Sequence, residues 1–158
     1  MNFEFGDIDG VIIKELIKRE DARGWLTEIF RQDEISRDKW PVMNYVSETK
    51  PGVARGPHEH VDQTDYFGFL GPSDFKIYLW DSREKSGTYG KRMVVTLGEV
   101  KPGIVVIPPG VVHAYRNTGT IPGWVINLPN RLYAGWQKKE PVDEIRHEDK
   151  QDSIYKLD

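Results

Sequence analysis

Gly52-Val53-Ala54-Arg55-Gly56-Pro57-His58-Glu59-His60-Val61-Asp62-Gln63-Thr64-Asp65 is the stretch on which the fold turns. Two histidines stand one residue apart, and a carboxylate follows. On an extended chain residues i and i+2 face the same side, so His58 and His60 converge on one interior point. A second stretch runs Gly103-Ile104-Val105-Val106-Ile107-Pro108-Pro109-Gly110-Val111-Val112-His113-Ala114-Tyr115-Arg116-Asn117. Its Pro-Pro-Gly turns the chain, so the strand that follows brings His113 to the same cavity. Three of the four histidines in the chain fall in these two stretches.

Outward from them, short runs rich in β-branched and aromatic residues read as strands at 11–17, 25–30, 75–80, 92–97, 103–107 and 123–128. The run at 75–80 has large residues on both faces, as expected where both sides are covered. The 15 Gly and 10 Pro are scattered rather than pooled. Lys50-Pro51-Gly52, Gly71-Pro72-Ser73 and Lys101-Pro102-Gly103 are local turn signals, and residues 86–91 read as a hairpin turn. Many short strands with frequent turns predict an all-β sandwich or barrel. Two short peripheral helices are expected, at 33–39 before Pro41 and at 141–150, where a Pro start precedes a charged run. No repeat or low-complexity segment interrupts a single domain over 1–158.

Composition excludes several classes. With 38% hydrophobic and 30% charged residues the chain is neither a disordered tail nor a membrane protein. The 22 basic residues against 25 acidic ones give a net charge of -3, without the basic face of a nucleic-acid binder. The absence of cysteine removes disulfides, thiolate nucleophiles and iron–sulfur clusters. The opening residues 1–7 are acidic and carry no export pattern, so a cytoplasmic location is expected.

The two histidine stretches resemble the paired signatures of the cupin superfamily, with Asp65 in place of a Glu and two spacers one residue short. That resemblance implies a cupin-type jelly-roll β-barrel, whose mouth is the default ligand site. Further matches narrow the family. Asp21-Ala22-Arg23-Gly24-Trp25-Leu26-Thr27-Glu28, Ala54-Arg55-Gly56-Pro57-His58 and Asp81-Ser82-Arg83-Glu84-Lys85-Ser86-Gly87-Thr88-Tyr89-Gly90-Lys91 resemble motifs of the dTDP-4-dehydrorhamnose 3,5-epimerase family. Ile107-Pro108-Pro109-Gly110-Val111-Val112-His113-Ala114-Tyr115 is similar to another of its motifs.

This resemblance implies a cofactor-free isomerase in deoxysugar biosynthesis, which moves protons next to the ketone of a dTDP-4-keto-6-deoxy sugar. By position, His58 is the base, Asp149 the carboxylate that orients it, and Tyr133 the acid. Arg23 and Arg55 hold the diphosphate, Glu28 binds the nucleotide or its sugar, and His113 lines the sugar pocket. Because the family's Arg23 serves the neighbouring site, the resemblance also implies a homodimer. A ketoisomerase that moves the carbonyl along the ring uses the same base.

The chain departs from the family in ways that keep other readings open. His60 stands where the family has Gln, Met43 where it has another Gln, and the enolate-stabilising Lys falls in Gln63-Thr64-Asp65-Tyr66. An anion at Asp65 opposes an enolate. Three imidazoles and a carboxylate (His58, His60, Asp65, His113) instead suit one divalent ion such as Fe, Mn, Ni or Zn. A metal-dependent cupin enzyme, either an oxygenase or a metal-assisted isomerase, is therefore the alternative, and a non-catalytic sugar-binding cupin is a third. Structural roles also compete: Arg23 and Arg55 suit carboxylates across turns, and Tyr133 and Trp136 suit a cover over apolar surface. His147, inside the charged run at 143–150, reads as a solvated or capping residue.

Overall fold

The strand Asp74–Asp81 explains the layering. Phe75, Ile77 and Leu79 enter the core between two sheets, where Phe67, Phe69, Val105 and Val125 meet them. On the other face Tyr78 and Trp80 lie beneath Tyr155 and Leu157 of the C-terminal segment. Both faces are covered, so both are apolar.

The computed structural model describes residues 2–158; Met1, first residue of the acidic opening segment, lies outside the described residues. The strands are β1 (Glu4–Phe5), β2 (Ile12–Glu15), β3 (Arg19–Asp21), β4 (Gly24–Leu26), β5 (Tyr45–Thr49), β6 (Ala54–Glu59) and β7 (Asp65–Phe69). They continue with β8 (Asp74–Asp81), β9 (Lys91–Gly98), β10 (Gly103–Ile107), β11 (Val111–Asn117), β12 (Gly123–Asn127) and β13 (Ile145–Arg146). One sheet has the order β1-β9-β8-β11-β6-β13, the other β2-β10-β7-β12-β5, and β3-β4 is a separate hairpin. All pairs are antiparallel except β1 with β9. This is the expected jelly roll.

A fully buried aromatic such as Phe69 or Phe75 contributes roughly 2–3 kcal/mol. An exposed pair such as Lys91–Glu4 contributes roughly 0–1 kcal/mol. Packing between the sheets therefore holds the barrel. Among the described residues no helix is long and apolar enough to cross a membrane.

Three local expectations are corrected. The strand expected at 25–30 stops at Leu26, because the chain then leaves its hairpin and lays Ile29, Phe30 and Ile35 over the outer face of the second sheet, against Tyr66, Ile104 and Val106. The helix expected at 33–39 is only a 3-10 turn at Arg37–Lys39. The helix expected at 141–150 does not form. There the two residues of β13 pair with the edge of β6, and the N–H groups of His147 and Glu148 donate to the Pro57 carbonyl. Sheet edge outcompetes helix. The turn expected at 86–91 does join β8 to β9, with the Gly90 N–H donating to Asp81 O at 2.9 Å.

Candidate active site

The position of His58 begins with a bulge. Across β6 and β11, His113 pairs with His58 but Tyr115 pairs with Arg55, so β6 carries one extra residue. Gly56 absorbs it at φ +79°, and a Cβ there would lie 2.5 Å from the His113 carbonyl oxygen. Only glycine fits, which gives the Arg55-Gly56-Pro57-His58 run its physical reason. The His58 and His113 rings then lie edge to face, 4.5 Å between centroids. The second stretch is pinned too: Gly110 N–H donates to His60 O, and buried Asn117 donates to Thr49 O and Ile121 O.

Asp65 opens β7 and is only 1% exposed. Its Oδ1 accepts from Gln63 Nε2 and Asn127 Nδ2, each at 2.8 Å. Its Oδ2 lies 3.0 Å from His60 Nε2 and 3.1 Å from His113 Nε2. His60 sits one residue past the end of β6, and its Nδ1 meets the Asp143 carbonyl. His113 Nδ1 lies 3.1 Å from Val111 O. The four side chains His58, His60, Asp65 and His113 bring one ligand-type atom each within 4.8 Å of one another.

Electrostatics divide this cluster. Burial opposes charge on His60, but the Asp65 carboxylate and the Asp143 carbonyl outweigh it and raise its pKa to about 9. Asp65 is held well below the usual carboxylate range, because the His113 and His60 contacts overcome its burial. His58 shifts the other way. Burial first, then the charges of His113 and His60, push it far below an ordinary imidazole, so it is neutral.

His58, His60, Gln63, Arg55, Tyr133 and Glu148 line part of a cavity of about 1170 Å³. That exceeds the roughly 300–1,000 Å³ of drug-sized pockets and leaves room for a nucleotide with its sugar. Glu144 and Glu148 each place Oε1 3.8 Å from His58 Nδ1. The strap bearing them is fixed by Asp143, whose carboxylate accepts from the N–H groups of Val61, Asp62 and Gln63 at 2.7–2.9 Å.

Several expected site residues are brought together and others are not. Arg55 is on the cavity wall, donating through Nε to Thr49 Oγ1 and through Nη2 to Glu48 O. Tyr133 and Trp136 are there as well, 58% and 71% exposed. His113 is 2% exposed and stands behind His58 rather than lining the cavity. Arg23 and Glu28 lie outside the cavity of their own chain, paired with Asp21 and Arg31. Asp149 is exposed and does not line it; its neighbour Glu148 does. Glu148 and Asp149 are the central residues of a turn closed by the Lys150 N–H donating to His147 O, and only the first of them borders the cavity. His147 is also corrected: it is 8% exposed, bonded to Glu59 Oε1 at 2.8 Å and packed on Tyr155. Sequence reasoning missed Glu144, Glu148 and Asp143, and the signal that pointed towards them was the carboxylate expected in this C-terminal run.

The family model described as dTDP-4-dehydrorhamnose 3,5-epimerase matches residues 6–121. The spore coat polysaccharide biosynthesis protein SpsL of Bacillus subtilis (strain 168) is 36% identical over 126 residues, covering 80% of this chain and 82% of that protein. The probable low-salt glycan biosynthesis epimerase Agl13 of Haloferax volcanii is 34% identical over 128 residues, covering 80% and 81%. Among solved structures, a dTDP sugar isomerase from Desulfovibrio desulfuricans G20 superposes with a TM-score of 0.77 at 25% identity, over 94% of this chain and 88% of that one.

Proposed function

The chain belongs to the dTDP-4-dehydrorhamnose 3,5-epimerase family, and from that membership we propose that it is an epimerase of a dTDP-linked 4-keto-6-deoxy sugar, working as a cytoplasmic homodimer. One observation carries the reading: a neutral imidazole, His58, faces a cavity of nucleotide-sugar size with two carboxylates behind its Nδ1.

His58 takes the proton from the carbon next to the ketone. The C–H electron pair moves to the carbonyl oxygen, giving an enolate. Glu144 and Glu148 stabilise the imidazolium, as a buried carboxylate does behind a catalytic histidine. The Tyr133 phenol returns a proton to the opposite face of the carbon, and its exposure lets water restore it. His58 sheds its own proton through the carboxylates, so substrate and product differ only in configuration. Arg55 is suited to the diphosphate. Arg23 is 90% exposed in its side chain, beside the exposed Trp25 and Leu26, which supports a role for it at the site of a second copy.

The test is solvent-deuterium incorporation into a dTDP-4-keto-6-deoxy sugar, followed by mass spectrometry and NMR of the product. His58→Asn is expected to slow exchange by about 10²–10⁴-fold. Tyr133→Phe is expected to keep exchange but accumulate no epimer. Exchange unaffected by His58→Asn refutes the reading, and a product with its carbonyl moved along the ring identifies a ketoisomerase.

A further inference from the structure

We propose that the Tyr45 hydroxyl is the hydrogen-bond donor to the ketone oxygen on which the enolate charge develops. The assignment rests on the epimerase reading above and adds a third group to His58 and Tyr133. It begins with Asn127, which is 1% exposed and whose Oδ1 accepts the Tyr66 backbone N–H at 3.1 Å. That bond fixes which end of the amide is oxygen, so Nδ2 has two hydrogens to place. One goes to Asp65 Oδ1 at 2.8 Å and the other to the Tyr45 hydroxyl oxygen at 3.0 Å. Tyr45 therefore accepts from Asn127, and its own hydrogen must point elsewhere.

Among the described residues no acceptor takes that hydrogen, and Tyr45 borders the cavity that His58 and His60 line. Other hydroxyls of the cavity wall differ. Ser47 and Tyr115 share a 3.2 Å bond that either can donate, so neither presents a hydrogen in a fixed direction. Tyr45 opens β5 directly across from Asn127 of β12, in the second sheet, whereas His58 belongs to the first. The two groups thus approach a bound sugar from opposite walls. Glu144, which faces His58 at 3.8 Å, also acts on Tyr45 through its charge, so both groups belong to one end of the cavity. Burial, helped by the charges of Asp65 and Glu144, outweighs the Asn127 bond and pushes the phenol up to about 12. It keeps its hydrogen at neutral pH.

The stretch Gln63-Thr64-Asp65-Tyr66 brings a carboxylate and no cation, and His60 matches that carboxylate at 3.0 Å. A phenol dipole fixed by Asn127 is then what meets new charge. As His58 takes the proton, the C–H electron pair moves to the ketone oxygen and the bond from Tyr45 strengthens. The hydrogen stays on the Tyr45 oxygen throughout. When the carbon regains a proton the pair returns and that bond relaxes. A donor set in advance stabilises the enolate more than the neutral ketone, and only such a difference lowers the barrier.

The experiment measures solvent-deuterium exchange and epimer formation in the full-length protein, with dTDP-4-keto-6-deoxyglucose as the probe. Tyr45→Phe is expected to lower kcat for both by about 10²–10³-fold, the loss seen when one oxyanion donor is removed, with KM little changed. Tyr133→Phe, by contrast, keeps exchange. Melting checks the fold, and a fluorinated tyrosine in place of Tyr45 carries the test if Tyr45→Phe unfolds. That residue ionises at lower pH, and a phenoxide donates nothing. Exchange should then show an upper pH limit below that of the wild type, which no packing role produces. Undiminished exchange in folded Tyr45→Phe, or an unmoved pH limit in the fluorinated protein, overturns the donor and leaves the epimerase reading standing. A rise in KM alone assigns the hydroxyl to substrate binding and also overturns it. Absence of His58-dependent exchange in the wild type overturns the epimerase reading and the donor together.

Discussion

Asp81 has no solvent exposure, yet its carboxylate is fully partnered: Arg83 Nε and Nη2 at 2.8 Å, Ser86 Oγ and Thr88 Oγ1 at 2.6 Å. These bonds overcome its burial and hold it well below the usual carboxylate range. A depressed folded-state pKa contributes stability above the unfolded value, near 3.8, that fades as the pH falls through the folded one. Asp81→Asn should therefore cost about 3 kcal/mol at neutral pH. Urea midpoints of wild type and variant should converge from pH 5 to below pH 3. The carboxylates behind His58 make a second case. Glu144 is shared with Arg146 at 2.7 Å, whereas Glu148 carries no such pair. Glu148→Gln should lower kcat roughly tenfold with KM unchanged, and Glu144→Gln/Glu148→Gln roughly 100-fold, as loss of a ring-orienting partner does. A change in KM alone would mark these residues as substrate contacts.

Among the elements, the bulge in β6 is the most exacting. Gly56→Ala forces a side chain into positive φ and against the His113 carbonyl, at a cost of roughly 2–4 kcal/mol. Because the same bulge aims His58, exchange should fall by about 100-fold in protein that is still folded, measured below its melting temperature. The sheets themselves were legible from sequence: 75–80, 92–97 and 103–107 became β8, β9 and β10 within a residue or so. His58 and His113 were legible for the same reason, since a two-residue period and a Pro-Pro-Gly turn are local signals. The strap at 141–150 was not, because its charges look helical one residue at a time. What holds it against the barrel is Pro57, Val61, Asp62 and Gln63, some eighty residues earlier. The identity of the carboxylate facing His58 depends on that distant pairing, which is why Asp149 was read in place of Glu148.

At the scale of the whole molecule, a chain of 18.3 kDa should migrate as a dimer in light scattering. Arg23 and Glu28 lie away from their own cavity, so the proposed dimer has a functional signature to test. Arg23→Ala and His58→Asn homodimers should both be impaired. Mixed in equal amounts and re-equilibrated, they should recover about a quarter of wild-type turnover, because about half of the dimers are then heterodimers and one site in each has both residues. No recovery in verified heterodimers would assign Arg23 to its own hairpin alone.

Asp143 binds three backbone N–H groups through its side chain and His60 through its carbonyl, and the next residues deliver Glu144 and Glu148. Every sheet strand other than β13 precedes this strap in the chain. During synthesis the barrel can therefore close before its chemistry is complete. Foldedness and competence are separate events here, and a quality-control system that senses only exposed core would pass a molecule still unable to work.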